Sequence, residues 1–231
     1  HLRPRRQRQM CIRDSLGAGL YAVIGILSAI QSREKNDAGE HVDISMLDTQ
    51  VSLLTYMATM HFLSGENPEP IGNQHMNHVP FNSYRTSNGF IQIGVVAEDF
   101  WPSLIEALDL RQLDTEENKV RIGRLKNREN IDEALQEVFI TNTTEHWLKI
   151  LQEHRVPCGP INTLSETFQD ADLLKRNMIV EVLQDSGTSV KMPGNPVKIS
   201  NHDEEFRRSP KLGEHTAEIF KSWLDKDISV D

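Results

Sequence analysis

Cysteine is almost missing from this chain. Cys11 and Cys158 are its whole complement among 231 residues, too few for the disulfide framework of a small secreted scaffold. A long apolar run is missing too. The one candidate, Leu16 to Ile30, falls short of the roughly 20 residues that a spanning helix needs and runs into Gln31, Arg33, Glu34 and Lys35. It reads as a buried core helix, and no membrane partner is expected. Nor is there a basic excess: 25 Lys and Arg stand against 34 Asp and Glu, for a net charge of −9, which argues against a nucleic-acid footprint. The chain shows no internal repeat, no low-complexity tract, no Walker loop and no GxGxxG. "GAGLYAVIG" has crowded glycines but follows no visible strand.

What positive charge there is crowds the start. Arg3, Arg5, Arg6, Arg8 and Arg13 occur with no acid before Asp14. Such an arm could meet nucleic acid or an acidic surface, yet it lacks the aromatics that stack on bases and the apolar core of a secretory signal. "MCIRDS" resembles the translated end of a transposon used to prepare sequencing libraries. Residues 1–15 therefore read as a non-native scar, set aside from fold reasoning. Cys158 is then the single native cysteine, which favours a reducing, cytoplasmic compartment.

Ordinary segments follow. A helix over about 16–34 is rich in Gly17, Ala18, Gly19, Ala22, Gly25, Ser28 and Ala29; that many glycines suggest close approach by a backbone or a ligand. "HVDISM" alternates as a strand through Val42, Ile44 and Met46, with Asp43 solvated on the other face. A helix over 48–64 is capped by Ser45 or Asp48. The run from Ser64 to Pro80 is too long for an ordinary connection, and such loops tend to carry function or join domains. "FNSYRTSNGFIQIGVV" reads as a hairpin with Asn88 and Gly89 at positive φ. Helices are expected at 100–110, 129–140 and 144–154, the last capped by Asn142 with Glu145. "RVPCGPIN" reads as a linker. Beyond it come a capping box, Thr163 with Glu166, before a helix at 165–176; strands in "MIVEVL" and "VKMPGNPVKIS"; and a last helix at 213–225 with Ile219, Phe220, Trp223 and Leu224 on its apolar face.

Spacing alone gives little chemistry. His75 and His78 in "HMNH" have no nearby acid or cysteine, so no metal site is assigned. His41, His61 and His146 have no triad partners. Cys158 reads as a small buried residue before a nucleophile.

"GLYAVIGILSAIQSREKNDAGEHVDISMLD", "GNQHMNHVPFNSYRTSNGFIQIGV", "RVPCGPINTLSETFQD", "MPGNPVKIS" and "PKLGEHT", taken in order, resemble class III coenzyme A transferases, the CaiB/BaiF family. The resemblance implies the α/β C-terminal part of a two-domain enzyme. Residues 16–78 would end the first part of an incomplete Rossmann-like, CoA-binding large domain and its linker. Residues 79–160 would form a small α+β domain, and 161–231 a linker and return to the large domain. It further implies an interlocked homodimer. Its substrates would be an acyl-CoA and a small carboxylic acid, with the coenzyme A thioester as substrate and no tightly bound cofactor.

Members of that family use an aspartate that attacks the thioester, forming a mixed anhydride and then an aspartyl thioester. By alignment on Gly19, four residues further on, this aspartate falls at Ser15; Asp14 is the positional stand-in, one residue out of register. The expectation is that the gene encodes aspartate at position 15, preceded by roughly a domain of α/β sequence. The loop Gly72 to Pro80 would cover the site, with Asn73, Gln74, His75 and His78 contacting an acyl carboxylate and Gly72 letting the chain bend close. Lys198 and Arg85 are further candidates for reading an acidic substrate. Two alternatives stay open: an α-methylacyl-CoA racemase of the same family, which pairs the aspartate with a histidine, and a non-catalytic fragment.

Overall fold

The structure is a computed structural model describing residues 12–225. Residues 1–11, which hold Cys11 and most of the arginine-rich segment, lie outside the described residues. The chain divides into two compact units, His1–Gly72 and Asn73–Asp231, ahead of the boundary expected at residue 78.

In the first unit, α1 spans Ile12–Asn36, α2 Met46–Ser52 and α3 Tyr56–Ser64. Ser45 caps α2 by accepting from Asp48 N–H at 3.3 Å. The single helix expected over 48–64 is broken where Thr55 adopts φ +49°. Two of the α1 glycines mark close approaches: a Cβ at Gly17 would lie 3.2 Å from Thr49 Cγ2, and one at Gly25 only 2.8 Å from Val42 Cγ1. At Gly19 the space is open.

Two expectations fail in this unit. "HVDISM" forms no strand, because a ladder needs a partner and the described residues of this unit offer none. Val42 and Ile44 are half-buried and Asp43 exposed as expected, but Met46 is exposed and opens α2. Nor is α1 a buried helix. Leu16, Leu20, Val23, Ile24 and Leu27 are each more than half exposed. The apolar stretch also continues helically: Asp14–Asn36 is long and apolar enough, by length and composition, to cross a membrane, a test that the core helix of a soluble protein meets as well. Counting only the uncharged residues undercounts the helix.

The second unit holds the core. Strands β1 (Phe81–Arg85) and β2 (Phe90–Gly94) pair antiparallel, with Arg85 opposite Phe90. Cys158–Pro160, expected as linker, is a third strand, β3, on the other side of β2, pairing Cys158 with Ile93. The hairpin turn also differs from expectation. Neither Asn88 nor Gly89 has positive φ; a four-residue loop replaces the tight turn, and its side chains close it. Gly89 N–H donates to Thr86 Oγ1 at 3.0 Å, and Asn88 Oδ1 accepts from Thr144 N–H at 2.8 Å while its Nδ2 donates to Glu145 at 3.1 Å.

Helices α4 (Phe100–Leu108), α5 (Arg121–Lys126), α6 (Arg128–Phe139) and α7 (Thr144–Glu153) cover the sheet. Ile131, Leu135 and Phe139 recur every four residues on α6, one apolar stripe facing inward. They bury fully with Ile91, Ile93, Trp101, Leu104 and Leu151. Phe139 and Trp147 meet edge to face at 5.6 Å, and Trp147 Nε1 donates to the Phe139 carbonyl at 2.8 Å. Thr143, rather than Asn142, caps α7; the neighbouring Asn142 instead gives its carbonyl to Ser87 N–H at 2.9 Å.

Arg124 is the exception in this core, a cation only 1% exposed. Gly123 explains how it gets there. A Cβ at that position would lie 1.8 Å from the Glu117 carbonyl oxygen, so only glycine lets α5 press against the preceding turn. Arg124 then donates to the carbonyls of Val79 at 2.8 Å, Asn118 at 2.9 Å and Lys119 at 3.2 Å. It pairs with Glu98 at 2.7 Å and lies 5.2 Å from the Trp101 ring centroid.

The remainder runs through α8 (Leu164–Thr167), α9 (Ala171–Lys175), an antiparallel pair β4 (Ile179–Leu183) and β5 (Ser189–Pro193), and α10 (Thr216–Leu224). The Thr163–Glu166 capping box forms as expected. The helix expected over 165–176 is two short ones because Asp170 caps a new start, accepting from Asp172 and Leu173 N–H.

Candidate active site

Each unit contributes its own candidate residues. In the first, Asp14 and Ser15 sit in the opening turn of α1. Backbone N–H groups there have no intrahelical partner, and the dipole favours negative charge. Ser15 donates twice to Asp14 Oδ1, from N–H at 2.5 Å and from Oγ at 3.1 Å. Asp14 is half-buried and Ser15 exposed. Gly72, the last residue of this unit, takes φ +64° and is exposed with open space around it, a backbone bend that glycine adopts without strain.

In the second unit, residues 73–80 have no regular structure, yet many of their polar groups are held. Asn73 Nδ2 donates to Ser83 Oγ at 2.9 Å. Gln74 is gripped at both ends: Nε2 donates to Asp132 Oδ2 at 3.0 Å, and Oε1 accepts from Arg128 at 3.4 Å. This fixes which way the amide faces. Three arginines then take four of the loop's backbone carbonyls. Arg128 donates to His75 at 2.8 Å and Met76 at 3.4 Å, Arg121 to Asn77 at 3.1 Å, and Arg124 to Val79 at 2.8 Å. Asp132 also accepts from the Tyr84 hydroxyl. Burial first, then the Asp132 charge and hydrogen bond, push the Tyr84 phenol well above its usual range.

The clamp brings His75 and His78 to a ring separation of 4.7 Å. His75 Nδ1 accepts the Asn77 N–H at 3.0 Å, so the neutral ring carries its proton on Nε2. His78 Nδ1 is buried with no hydrogen-bond partner. Burial, followed by the positive neighbours His75, Arg121 and Arg124, lowers the His78 pKa from 6.5, while Glu98 opposes them. Above 6.5 the ring is neutral both folded and unfolded, and no penalty arises. As pH falls below 6.5 the unfolded chain takes the proton first, so stability drops. Between about pH 7 and pH 5, His78→Gln should lose less stability than the parent, read as the urea midpoint at each pH.

The loop expected to meet a carboxylate is thus pinned in place, but two of its expected contact residues, Asn73 and Gln74, already commit their side chains to Ser83, Asp132 and Arg128. Lys198 likewise holds Glu204 at 2.7 Å, an ion pair that occupies the charge expected to read a substrate. Arg85 is exposed at the end of β1, its backbone bracketed by Gln136 at 2.9 Å on both N–H and carbonyl. Burial raises the Cys158 thiol pKa, in keeping with a packing residue. Missed altogether were Arg121, Arg124, Arg128 and Asp132. Their signal was present as spacings of three, four and four in "RIGRLKNRENID", which put them along one side of consecutive helical turns.

Comparison with known proteins gives this arrangement a lineage. Residues 3–216 match the family model described as CoA-transferase family III. The chain is 28% identical over 214 residues to a succinyl-CoA:glutarate CoA-transferase from Homo sapiens, covering 92% of this chain and 49% of that protein. It is 30% identical over 213 residues to an acetyl-CoA:oxalate CoA-transferase from Acetobacter aceti, covering 91% and 54%. The crystal structure of a CaiB/BaiF family protein from Brucella suis superposes with a TM-score of 0.73 at 29% identity, over 89% of this chain and 53% of that one. The chain thus spans about half the length of the relatives it matches. A mixed α/β chain with small sheets, a polar loop pinned by arginines and a family match over nearly its whole length meet in one conclusion: this chain belongs to CoA-transferase family III.

Proposed function

We propose that the protein is a transferase moving coenzyme A from an acyl-CoA to a free dicarboxylic acid. The observation that carries this reading is the family match over residues 3–216, supported by relatives named for glutarate and oxalate as acceptors. These names favour transfer over α-proton racemisation.

The chemistry runs through a carboxylate expected at position 15, where this chain carries Ser15. It attacks the thioester carbonyl, the C–S bond breaks, and the coenzyme A thiolate leaves an enzyme-acyl anhydride. The thiolate then attacks the enzyme's own acyl carbon, expelling the donor acid and forming an enzyme thioester. The acceptor carboxylate repeats the sequence in reverse. Both exchanges need a nucleophile that is also a good leaving group, which a carboxylate is. The positive dipole end in the opening turn of α1 suits the developing oxyanion. The loop at 72–80 is read as the segment that faces the acid, with His75 and His78 as its reading groups. The working form is a homodimer without a tightly bound cofactor, and its compartment is cytoplasmic; a lone described thiol, Cys158, suits a reducing one. No membrane association belongs to this reading: the core helix of a soluble protein passes the same test of length and composition as α1.

The test uses protein expressed from the complete gene, incubated with succinyl-CoA and glutarate, with the products separated by chromatography. Glutaryl-CoA together with equimolar succinate is the expected result. Hydrolysis of succinyl-CoA without glutaryl-CoA, across a panel of dicarboxylic acids from oxalate upward, would overturn it.

A further inference from the structure

We propose that Arg128 is a positioning residue that sets affinity for the free acid, by holding the His75–His78 pair in the geometry that receives a carboxylate. The inference rests on the reading of residues 72–80 as the acid-facing loop. Its physical ground is that side-chain contacts, not regular secondary structure, fix the loop, and Arg128 makes three of them. Residues 73–80 contain no helix or strand, and such a segment would ordinarily sample many conformations, each residue costing about 1–2 kcal/mol to order.

Arg128 reaches more of the loop than any other single side chain described here. One guanidinium spans Gln74 Oε1 at 3.4 Å, the His75 carbonyl at 2.8 Å and the Met76 carbonyl at 3.4 Å. One helical turn further along α6, Asp132 takes the other end of the Gln74 amide at 3.0 Å. The acid and the base four residues apart thus close on one glutamine like the two jaws of a vice. His75 follows directly, with its own N–H donating to the Phe81 carbonyl at 3.2 Å and its ring 5.2 Å from the Phe81 ring.

The fork matters as well as the charge. Three acceptors on consecutive residues suit a planar guanidinium with five N–H donors, whereas a lysine ammonium is a compact point charge. Neither Arg128 nor Asp132 needs to touch substrate; they act through residues 74–76.

The experiment compares the full-length enzyme with Arg128→Lys and Arg128→Gln. Without substrate, amide hydrogen exchange at residues 74–79 should speed up in both, while the β1 and β2 amides stay protected. In turnover with succinyl-CoA and glutarate, KM for glutarate should rise about tenfold or more, the loss of one or two charge-assisted hydrogen bonds, with KM for succinyl-CoA and kcat moving far less. Lysine should not rescue. Rescue by lysine would show that net charge alone matters and overturn the positioning role. So would an unchanged glutarate KM in either folded variant, or unchanged exchange in the loop. Absence of glutaryl-CoA from the parent enzyme is a separate result, and it removes the proposed function itself. The Arg128→Lys substitution conserves bulk and charge, so it keeps the comparison available should the glutamine variant fold poorly.

Discussion

With serine at position 15, glutaryl-CoA should form at least ~10³-fold more slowly than in the Ser15→Asp enzyme, the scale of losing a nucleophile in covalent catalysis. The reason lies in the second half of each exchange. A serine hydroxyl can accept an acyl group, but the product is an ester whose alkoxide is a far worse leaving group than a carboxylate, so the chain of exchanges stops there. Ser15 is also hydrogen-bonded through its hydroxyl to Asp14 at 3.1 Å. Asp14 does not replace it: one residue along a helix is about 100° of rotation. Asp14→Ala should therefore leave the Ser15→Asp enzyme active. Intact-mass spectrometry should find a coenzyme A adduct on the aspartate form and at most a stalled succinyl ester on the serine form. Equal turnover by the two forms would end the aspartyl route.

Arg124→Met should cost about 3–5 kcal/mol of unfolding free energy, the range seen when one member of a buried charged network is removed. The size follows from what is left behind. Methionine fills most of the volume, but the carbonyls of Val79, Asn118 and Lys119 lose their donor, and a buried unsatisfied group costs about 1–3 kcal/mol. Glu98 contributes less, because its side chain is 53% exposed and water can take over. Burial alone would raise the Glu98 pKa, yet hydrogen bonds from Arg124 and the Arg121 N–H bring it below 4.5; in the variant it should return toward 4.5. Urea unfolding followed by tryptophan fluorescence reads the loss directly, since Trp101 lies against Arg124. A loss under about 1 kcal/mol would mean that the carbonyls find other donors.

Local signals carried much of the second unit. Alternation at Ile91 and Ile93, the four-residue spacing of Ile131, Leu135 and Phe139, and the Thr163–Glu166 box were all legible because each is decided by residues close in sequence. The hairpin was placed but its turn was not. Asn88 and Gly89 look like a tight turn in isolation, whereas Asn88 is drawn outward by Thr144 and Glu145, more than fifty residues away. Val42 and Ile44 alternate like a strand, but whether a strand forms depends on a neighbour. Burial of α1 is the same kind of question: its glycines at 17 and 25 found their contacts, while its leucines did not. At the candidate site, "GNQHMNHVP" was legible as an irregular loop, but the arginines that hold it were not singled out. A guanidinium's choice of backbone carbonyl has no local spelling.

One bond pattern reaches further than the site. Because Asn88 both ties off the β1–β2 loop and completes the start of α7, the alignment of two strands and the beginning of a helix are one decision. Sliding β1 against β2 by a single residue would reverse the face of every side chain in the strand and, in the same movement, uncouple Thr86 from Thr144, now 2.7 Å apart. An asparagine in the hairpin loop thus proofreads the pairing of the sheet through its bond to a helix terminus, and a misaligned hairpin is penalised twice.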